Sequence, residues 1–285
     1  MRLVVASHNI MHGVFLDAML ERYIKLHHEH PVDILCLQEN VPLSPVDTKV
    51  AAPGVTRTHA DAISSALGPF RSLWHPEHAA LATLVHSRLE VSDSFLVRLP
   101  RLSHLNWFER LYIRGGKVKQ KYAQVTVVGE AEASLAIVNV HLDTAGDNQH
   151  RTSQVRALAD ALAERGLLRH VVVCGDTNAF TWSRGHGASI VAQIMAPLAE
   201  VANAKPTGDW GATHFFARQR EPMLTHRLLT LLGRLGLDHP LPYDVICTDL
   251  KTLGSGKVTT PESDHDLVFA ALALPPHTRI RPSSS

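Results

Sequence analysis

The sequence places a carboxylate, an amide or an imidazole at six points where an apolar run begins or ends. Asn9 follows "LVVASH" and Glu39 follows "DILCLQ", while Asn139 and His141 close "SLAIVNVH" with Asp143 just beyond. Asp176 and Asn178 close "HVVVCGDTN", Asp244 opens "DVICTDL", and Asp264 and His265 stand just before "LVFAALAL". A turn or a helix cap explains any one of them. Six together are costly at the ends of buried strands unless they are paired or used, and ligand clefts form at strand ends in α/β sheets. Carboxylate and amide oxygens suit Mg²⁺ or Mn²⁺, and two histidines without thiolates do not demand zinc. One such cation, with a base and several donors around a tetrahedral phosphorus, makes a set able to hydrolyse a phosphoester.

The elements that must position these residues follow from periodicity. "RLVVAS" reads as a short buried strand. A helix follows over roughly residues 15 to 28, with Leu16, Met19, Leu20, Tyr23 and Ile24 on one face and Pro31 as its stop. "DILCLQE" is the second strand, residues 41 to 58 read as loop, and "HADAISSALG" is a short helix closed by Gly68. "LATLVHS", "EVSDSFLVRL", "KYAQVTVVG" and "SLAIVNVHL" read as strands. A helix with Val155, Leu158, Ala159 and Leu162 on one face leads to the strand "HVVVCGD". Strand–helix–strand therefore occurs twice, about 130 residues apart. Two sheets packed face to face with helices outside would bury such strands on both faces.

In this order, "SHNI", "LCLQE", "NVHL", "GDTN" and "SDHD" resemble the endonuclease/exonuclease/phosphatase superfamily, the fold of pancreatic-type deoxyribonuclease. "ALATLVHS" and "YDVICTDL" are similar to two further strands of that family. The resemblance covers residues 3 to 274 and implies an α/β protein, a four-layer α/β/β/α sandwich of two packed mixed sheets with outer helices. It implies one catalytic domain over residues 1 to 275, and the Pro- and Ser-rich residues 276 to 285 read as a flexible tail. By the same resemblance Glu39 is the principal Mg²⁺ ligand, supported by Asn9 and Asp264. Asp176 deprotonates the attacking water, Asn178 holds a phosphate oxygen or the nucleophile, and His265, oriented by Asp264, donates to a non-bridging oxygen. His141 binds phosphate or assists the leaving group, with Asp244 orienting it, and Asn139 is a substrate contact. His141 stands where abasic-site endonucleases of the superfamily carry Tyr, which places the chain with the nucleases, tyrosyl-DNA phosphodiesterases and inositol or lipid phosphoesterases. Asp266 stands where an apolar residue is common, so it either shifts metal preference or faces solvent.

With 285 residues and a formal net charge of +1, no global field recruits polyanions, which weakens a DNA-coating role. Cys36, Cys174 and Cys247 each lie in an apolar run and read as buried free thiols of a cytoplasmic protein. No apolar run reaches the ~18 residues of a spanning helix. Lys117 and Lys119, beside a Gly-Gly turn, either guard an edge strand or clamp a phosphate backbone. Leu224, Leu228, Leu231, Leu232 and Leu235 make a helical stripe within residues 220 to 237, packed on the core or laid on a membrane surface. The function expected is a Mg²⁺-dependent phosphodiesterase or nuclease, with a nucleic acid or nucleotide as substrate. A lipid or inositol phosphate is the alternative substrate, and a non-catalytic phosphate-binding scaffold is the alternative of another class.

Overall fold

Strand and helix alternate along the chain in an order that brings the polar strand ends to one side. In the computed structural model the described residues are 1–43, 57–112, 117–130, 134–179, 187–215, 218, 231 and 241–274. The first half comprises β1 (Arg2–Asn9), α1 (Leu16–Glu29), β2 (Ile34–Gln38), α2 (His59–Leu67), β3 (Phe70–His75), β4 (His78–His86), β5 (Val91–Arg98) and α3 (Trp107–Tyr112). The second comprises β6 (Tyr122–Val128), β7 (Leu135–His141), α4 (Asn148–Glu164), β8 (Val171–Asp176), α5 (Gly187–Ala202), β9 (Lys205–Pro206), β10 (Asp244–Thr248), β11 (Thr252–Val258) and β12 (Leu267–Ala273).

The strands form two six-stranded mixed sheets, ordered β11-β12-β1-β2-β4-β3 and β5-β6-β7-β8-β10-β9. The repeated strand–helix–strand pattern of the sequence is the pair of parallel crossovers, β1–α1–β2 and β7–α4–β8. Alternation along the strands sorts the core into layers. Leu3, Val5, Ile34, Cys36, Ile137, Val172, Cys174 and Ile246 fill the space between the sheets. Val4, Ala6, Leu35 and Leu37 face the other way, against Met19, Tyr23 and Leu26 of α1 and Ile63 of α2. Val138, Val140, Val171 and Val173 pack on Val155, Leu158 and Leu162 of α4 and on Ile194 and Leu198 of α5. The result is the four-layer sandwich. All three cysteines are free and buried.

One local expectation differs from what is observed: Ile24 is exposed, and Leu26 takes its place on the buried face of α1. Histidines at the end of α1 and the start of β4 take part in packing: His27 Nδ1 accepts from Val32 N at 3.1 Å, His30 lies over the Phe269 ring, and His78 tilts on Tyr122. Elements without a clear sequence signal are α5, which contains Pro197, and β11, whose "TLGSGKV" is rich in glycine.

A polar tie crosses the space between the sheets near their functional end. Gln38 Nε2 donates to Asn139 Oδ1 at 2.8 Å and to Ser7 Oγ at 3.2 Å. The Asn139 amide donates to Leu37 O and Ala82 O, each at 3.0 Å. Both residues are fully buried, so the network fixes how the sheets are set against one another. Asn139, expected as a substrate contact, is thus a strut between sheets, because a fully enclosed amide already paired at both ends has nothing to offer a ligand.

Two predictions follow from the fold. Gly175 has φ of 141°, and a Cβ there would collide with the carbonyl oxygen of Val140, its register partner on β7. Gly175→Ala should therefore destabilise the protein by about 3 kcal/mol in denaturant unfolding; an unchanged midpoint would refute the close approach. Burial, reinforced by Lys121, lowers the His78 pKa to about 4. Its folded value lies below its unfolded one, so the unfolded chain takes up the proton first. Stability is then whole above about pH 6.5 and falls as pH drops toward 4. The thermal midpoint of His78→Gln should fall less steeply across that window than that of the parent; parallel curves would count against it.

Candidate active site

The strand ends converge because register and sheet packing leave them no alternative. β7 and β8 run parallel with His141 opposite Asp176, and β8 and β10 run antiparallel with Asp176 opposite Asp244. Three functional groups thus lie side by side at one end of the second sheet. The first sheet brings Asn9 across the seam, where its Nδ2 donates to Asp176 Oδ2 at 3.1 Å. His265 arrives from the loop before β12, with its Nδ1 2.8 Å from Asp244 Oδ2 and its Nε2 3.5 Å from Asp176 Oδ2. The His141 Nε2 lies 3.7 Å from the same Asp176 oxygen. Asn178 closes the turn: its N–H donates to Asp176 Oδ1 at 2.8 Å and its side-chain amide to Leu142 O at 3.0 Å.

The backbone is strained where these groups are displayed. Glu39 and Asn178 adopt left-handed φ values of 58° and 49°, and His12 adopts 56°. Such conformations cost about 1–3 kcal/mol each and cluster at functional sites. The His12 Nε2 lies 3.4 Å from Glu39 Oε2, and the Glu39 side chain keeps 24% of its surface open to the cleft.

Burial and charge set the protonation states. For His265, burial works against the cation, but Asp244 and Asp176 on either side prevail and hold its pKa well above the ordinary imidazole value. His141 goes the other way: burial first, then Lys121 and His265, push it well below that value, so it is neutral at pH 7. Burial raises Asp176 to about 6, against the charge of His265 and the hydrogen bonds from Asn178 and Asn9. Lys121 is partly buried and lowered by that burial, with Asp143, Glu39 and Asp176 acting in the opposite sense. The site therefore combines an imidazolium, a neutral imidazole and a carboxylate of raised pKa.

Several expected roles are reassigned. His265 is held by Asp244 and not by Asp264. Asp244 does not orient His141, because its Oδ2 faces His265. Asp264 Oδ2 lies 3.6 Å from His214 Nε2. Asp266 does not face solvent: it is 1% exposed and paired with Arg218 Nη1 at 2.6 Å, Thr260 N at 3.2 Å and Lys257 Nζ at 3.4 Å. Lys117 and Lys119 are exposed at the approach to β6. Lys121, the last lysine before that strand, is close enough to feel the central carboxylates. The 220–237 stripe lies outside the described residues apart from Leu231, which is exposed. Among the described residues no helix is long and apolar enough to cross a membrane.

His214 belongs to the site without any sequence signal beyond a histidine in "GATHFF". Its segment threads the seam, with Asp266 N donating to Thr213 O at 2.7 Å and Asp244 N to Thr213 Oγ1 at 3.0 Å. The imidazole stacks on Tyr243 at 4.5 Å and meets His265 edge-on at 4.8 Å. His214, Asp264 and His265 form a buried group whose donor atoms lie within 4.8 Å of one another. Two imidazoles and a carboxylate suit a transition metal only when both rings are neutral, and Asp244 and Asp176 hold His265 in its charged form. Glu39 and Asn9, on adjacent strand ends, present oxygen donors of the kind Mg²⁺ takes, one or two carboxylates with water and substrate oxygens completing the shell. The residues present thus fit a divalent cation.

No known family profile and no curated protein sequence matches the chain. Solved structures do. D. rerio TDP2 complexed with single-strand DNA product superposes with a TM-score of 0.62 at 12% identity, covering 95% of this chain and 99% of that one. An endonuclease/exonuclease/phosphatase from Bacteroides vulgatus gives 0.63 at 16% identity, covering 96% and 100%. The endonuclease domain of TRAS1, a telomere-specific non-LTR retrotransposon, gives 0.54 at 13% identity, covering 96% and 99%. At these identities the likeness speaks for architecture: the chain has the fold of the endonuclease/exonuclease/phosphatase proteins.

Proposed function

We propose that the protein is a divalent-metal-dependent phosphoesterase, acting on a phosphodiester of a nucleic acid or nucleotide through an activated water. The observation that carries this reading is the buried array Asp244–His265–Asp176, with Asn9 and His141 on the same Asp176 oxygen. An anion-stabilising cation, a base and a neutral donor then surround one point, which is what attack on a tetrahedral phosphorus requires. The fold shared with TDP2 and the TRAS1 endonuclease domain supports the same reading.

Glu39 and Asn9 would hold Mg²⁺ or Mn²⁺, which supplies Lewis-acid polarisation of a phosphoryl oxygen. Asp176 accepts the proton of the attacking water, and its raised pKa keeps it a competent base near neutrality. Asn9 and the Asn178 backbone fix that carboxylate. His265, charged and clamped by Asp244, donates to the oxygen on which charge develops. The neutral His141 can give a proton hydrogen bond to phosphate or to the leaving oxygen without repelling the imidazolium beside it. Lys121 adds positive potential at the mouth of the cleft.

Two measurements test this. In the presence of Mg²⁺ the protein should hydrolyse an aryl phosphodiester, and both EDTA and Asp176→Ala should remove the activity, the latter by about 10³-fold. Cleavage of the aryl monoester alone would replace the diesterase reading with a phosphatase; silence on both without Mg²⁺ binding would sink the mechanism. Asp244→Asn should lower kcat about 10²-fold while leaving KM near its parent value, because the His265 cation matters most once charge develops. An undiminished kcat would remove His265 from the chemistry.

A further inference from the structure

Where β1 gives way to α1, the chain turns in a conformation that side chains seldom adopt. Met11, His12 and Gly13 follow one another at φ of 44°, 56° and 66°. Left-handed backbone is unfavourable for residues other than glycine, and two of them in succession persist only where the surroundings hold them. Here the surroundings are the ends of the strands that carry Asn9 and Glu39. Ile10 N donates to Gln38 O at 3.1 Å, Met11 N to Asn9 Oδ1 at 3.1 Å, and Gly13 N to Ile10 O at 2.8 Å. Met11 is buried, and the His59 ring lies so close to Gly13 that a Cβ there would come within 2.6 Å of it. What the turn displays is the His12 imidazole. Its Nε2 lies 3.4 Å from Oε2 of Glu39, which itself stands at a left-handed φ of 58°.

Resting on the metal-dependent reading above, we propose that His12 is, with Glu39, a direct ligand of the divalent cation, and that its nitrogen biases the site toward first-row transition ions over Mg²⁺. The spacing carries the first part. A separation of 3.4 Å is long for a hydrogen bond between imidazole and carboxylate. Two ligand atoms about 2.1 Å from one cation lie about 3.0 to 3.4 Å apart at octahedral to tetrahedral angles. Both side chains are open to the cleft, His12 over 41% of its surface and Glu39 over 24%, so a cation can reach the pair. The hydrogen bonds to Gln38 and Asn9 fasten the turn to both strands, so the imidazole is held where Glu39 needs a neighbour. Donor chemistry carries the second part. Mg²⁺ takes oxygen ligands and gives up water reluctantly, whereas transition ions accept imidazole nitrogen readily. Glu39 alone suits Mg²⁺; Glu39 with His12 makes a mixed oxygen and nitrogen site.

Two variants test this: His12→Asn, because asparagine tolerates left-handed backbone, and His12→Gly, for which a φ of 56° is unstrained. Mn²⁺ binding to the full chain is followed by EPR at about pH 8, where an ordinary imidazole is neutral, and Mg²⁺ binding by competition. Both variants should weaken Mn²⁺ at least about tenfold and Mg²⁺ by no more than about threefold. Pulsed EPR of the bound Mn²⁺ should show a nitrogen coupling in the parent that both variants lack, a signal that reports ligation and not activity. Unchanged Mn²⁺ affinity, or a nitrogen coupling that survives both substitutions, would overturn the proposal. So would tighter binding of both cations by the variants, which would make His12 a counter-ion of Glu39 and nothing more. A parent protein that binds neither cation would sink the metal-dependent reading and this inference together. If it binds Mn²⁺ and cleaves the diester while the variants match it in affinity and coupling, this inference alone fails.

Discussion

Two carboxylates flanking one buried imidazole govern this end of the molecule. Asp176, Asp244 and His265 are 2%, 4% and 3% exposed, and charges removed from water to that degree persist only when each has a partner in good geometry. His265 supplies it for both acids. The arrangement still leaves more negative than positive charge at the seam, counting Glu39 and Asp264 against His265 and Lys121. Such an excess favours a bound cation, and through the cation a phosphate. On the proposed reading, the imbalance that makes the site costly to fold would also equip it for a phosphoester.

Geometry on this scale depends on the sheets being set against each other without slack. The Gln38–Asn139 tie crosses from one sheet to the other immediately behind the site. Asn9 and Asp176 meet from opposite sheets, so a small shift between layers would break their contact. Gly175 lets β8 come close enough to Val140 to set Asp176 level with His141. The left-handed residues Glu39 and Asn178 stand one and two positions past the ends of β2 and β8, where the chain must turn while still displaying a polar side chain.

Support also reaches the site from further out. The loop that delivers Asp264 and His265 is pinned by Ser263 Oγ on Asn9 O at 2.7 Å and by Thr260, whose hydroxyl bonds His265 O. Arg22 of α1 holds Glu262 of the same loop with two hydrogen bonds. Asp266 ties Arg218 and Lys257 to its far end, so the segment carrying His214 is fixed against both sheets. Beyond His141, buried Arg151 donates to Thr144 O and Gly146 O, each at 2.9 Å, and shapes the turn into α4.

What the sequence determined by itself is most of the long strands, the two parallel crossovers and the polar groups at the strand tips. Those features are local: a run such as "HVVVCGDTN" shows its burial by hydrophobicity and its candidate chemistry by the residues that break it. The pairing among the tips was decided by tertiary structure. That Asp244, and not the adjacent Asp264, holds His265 depends on β10 lying beside β8, a neighbour relation no sequence spacing encodes. Asn139 and Lys121 show the same limit. The one became a strut and the other joined the cleft through the position of their strands in the stack. His214 lay beyond sequence reasoning altogether, because its segment meets Asp264 and His265 only when the loop before β12 is brought against it in the folded chain.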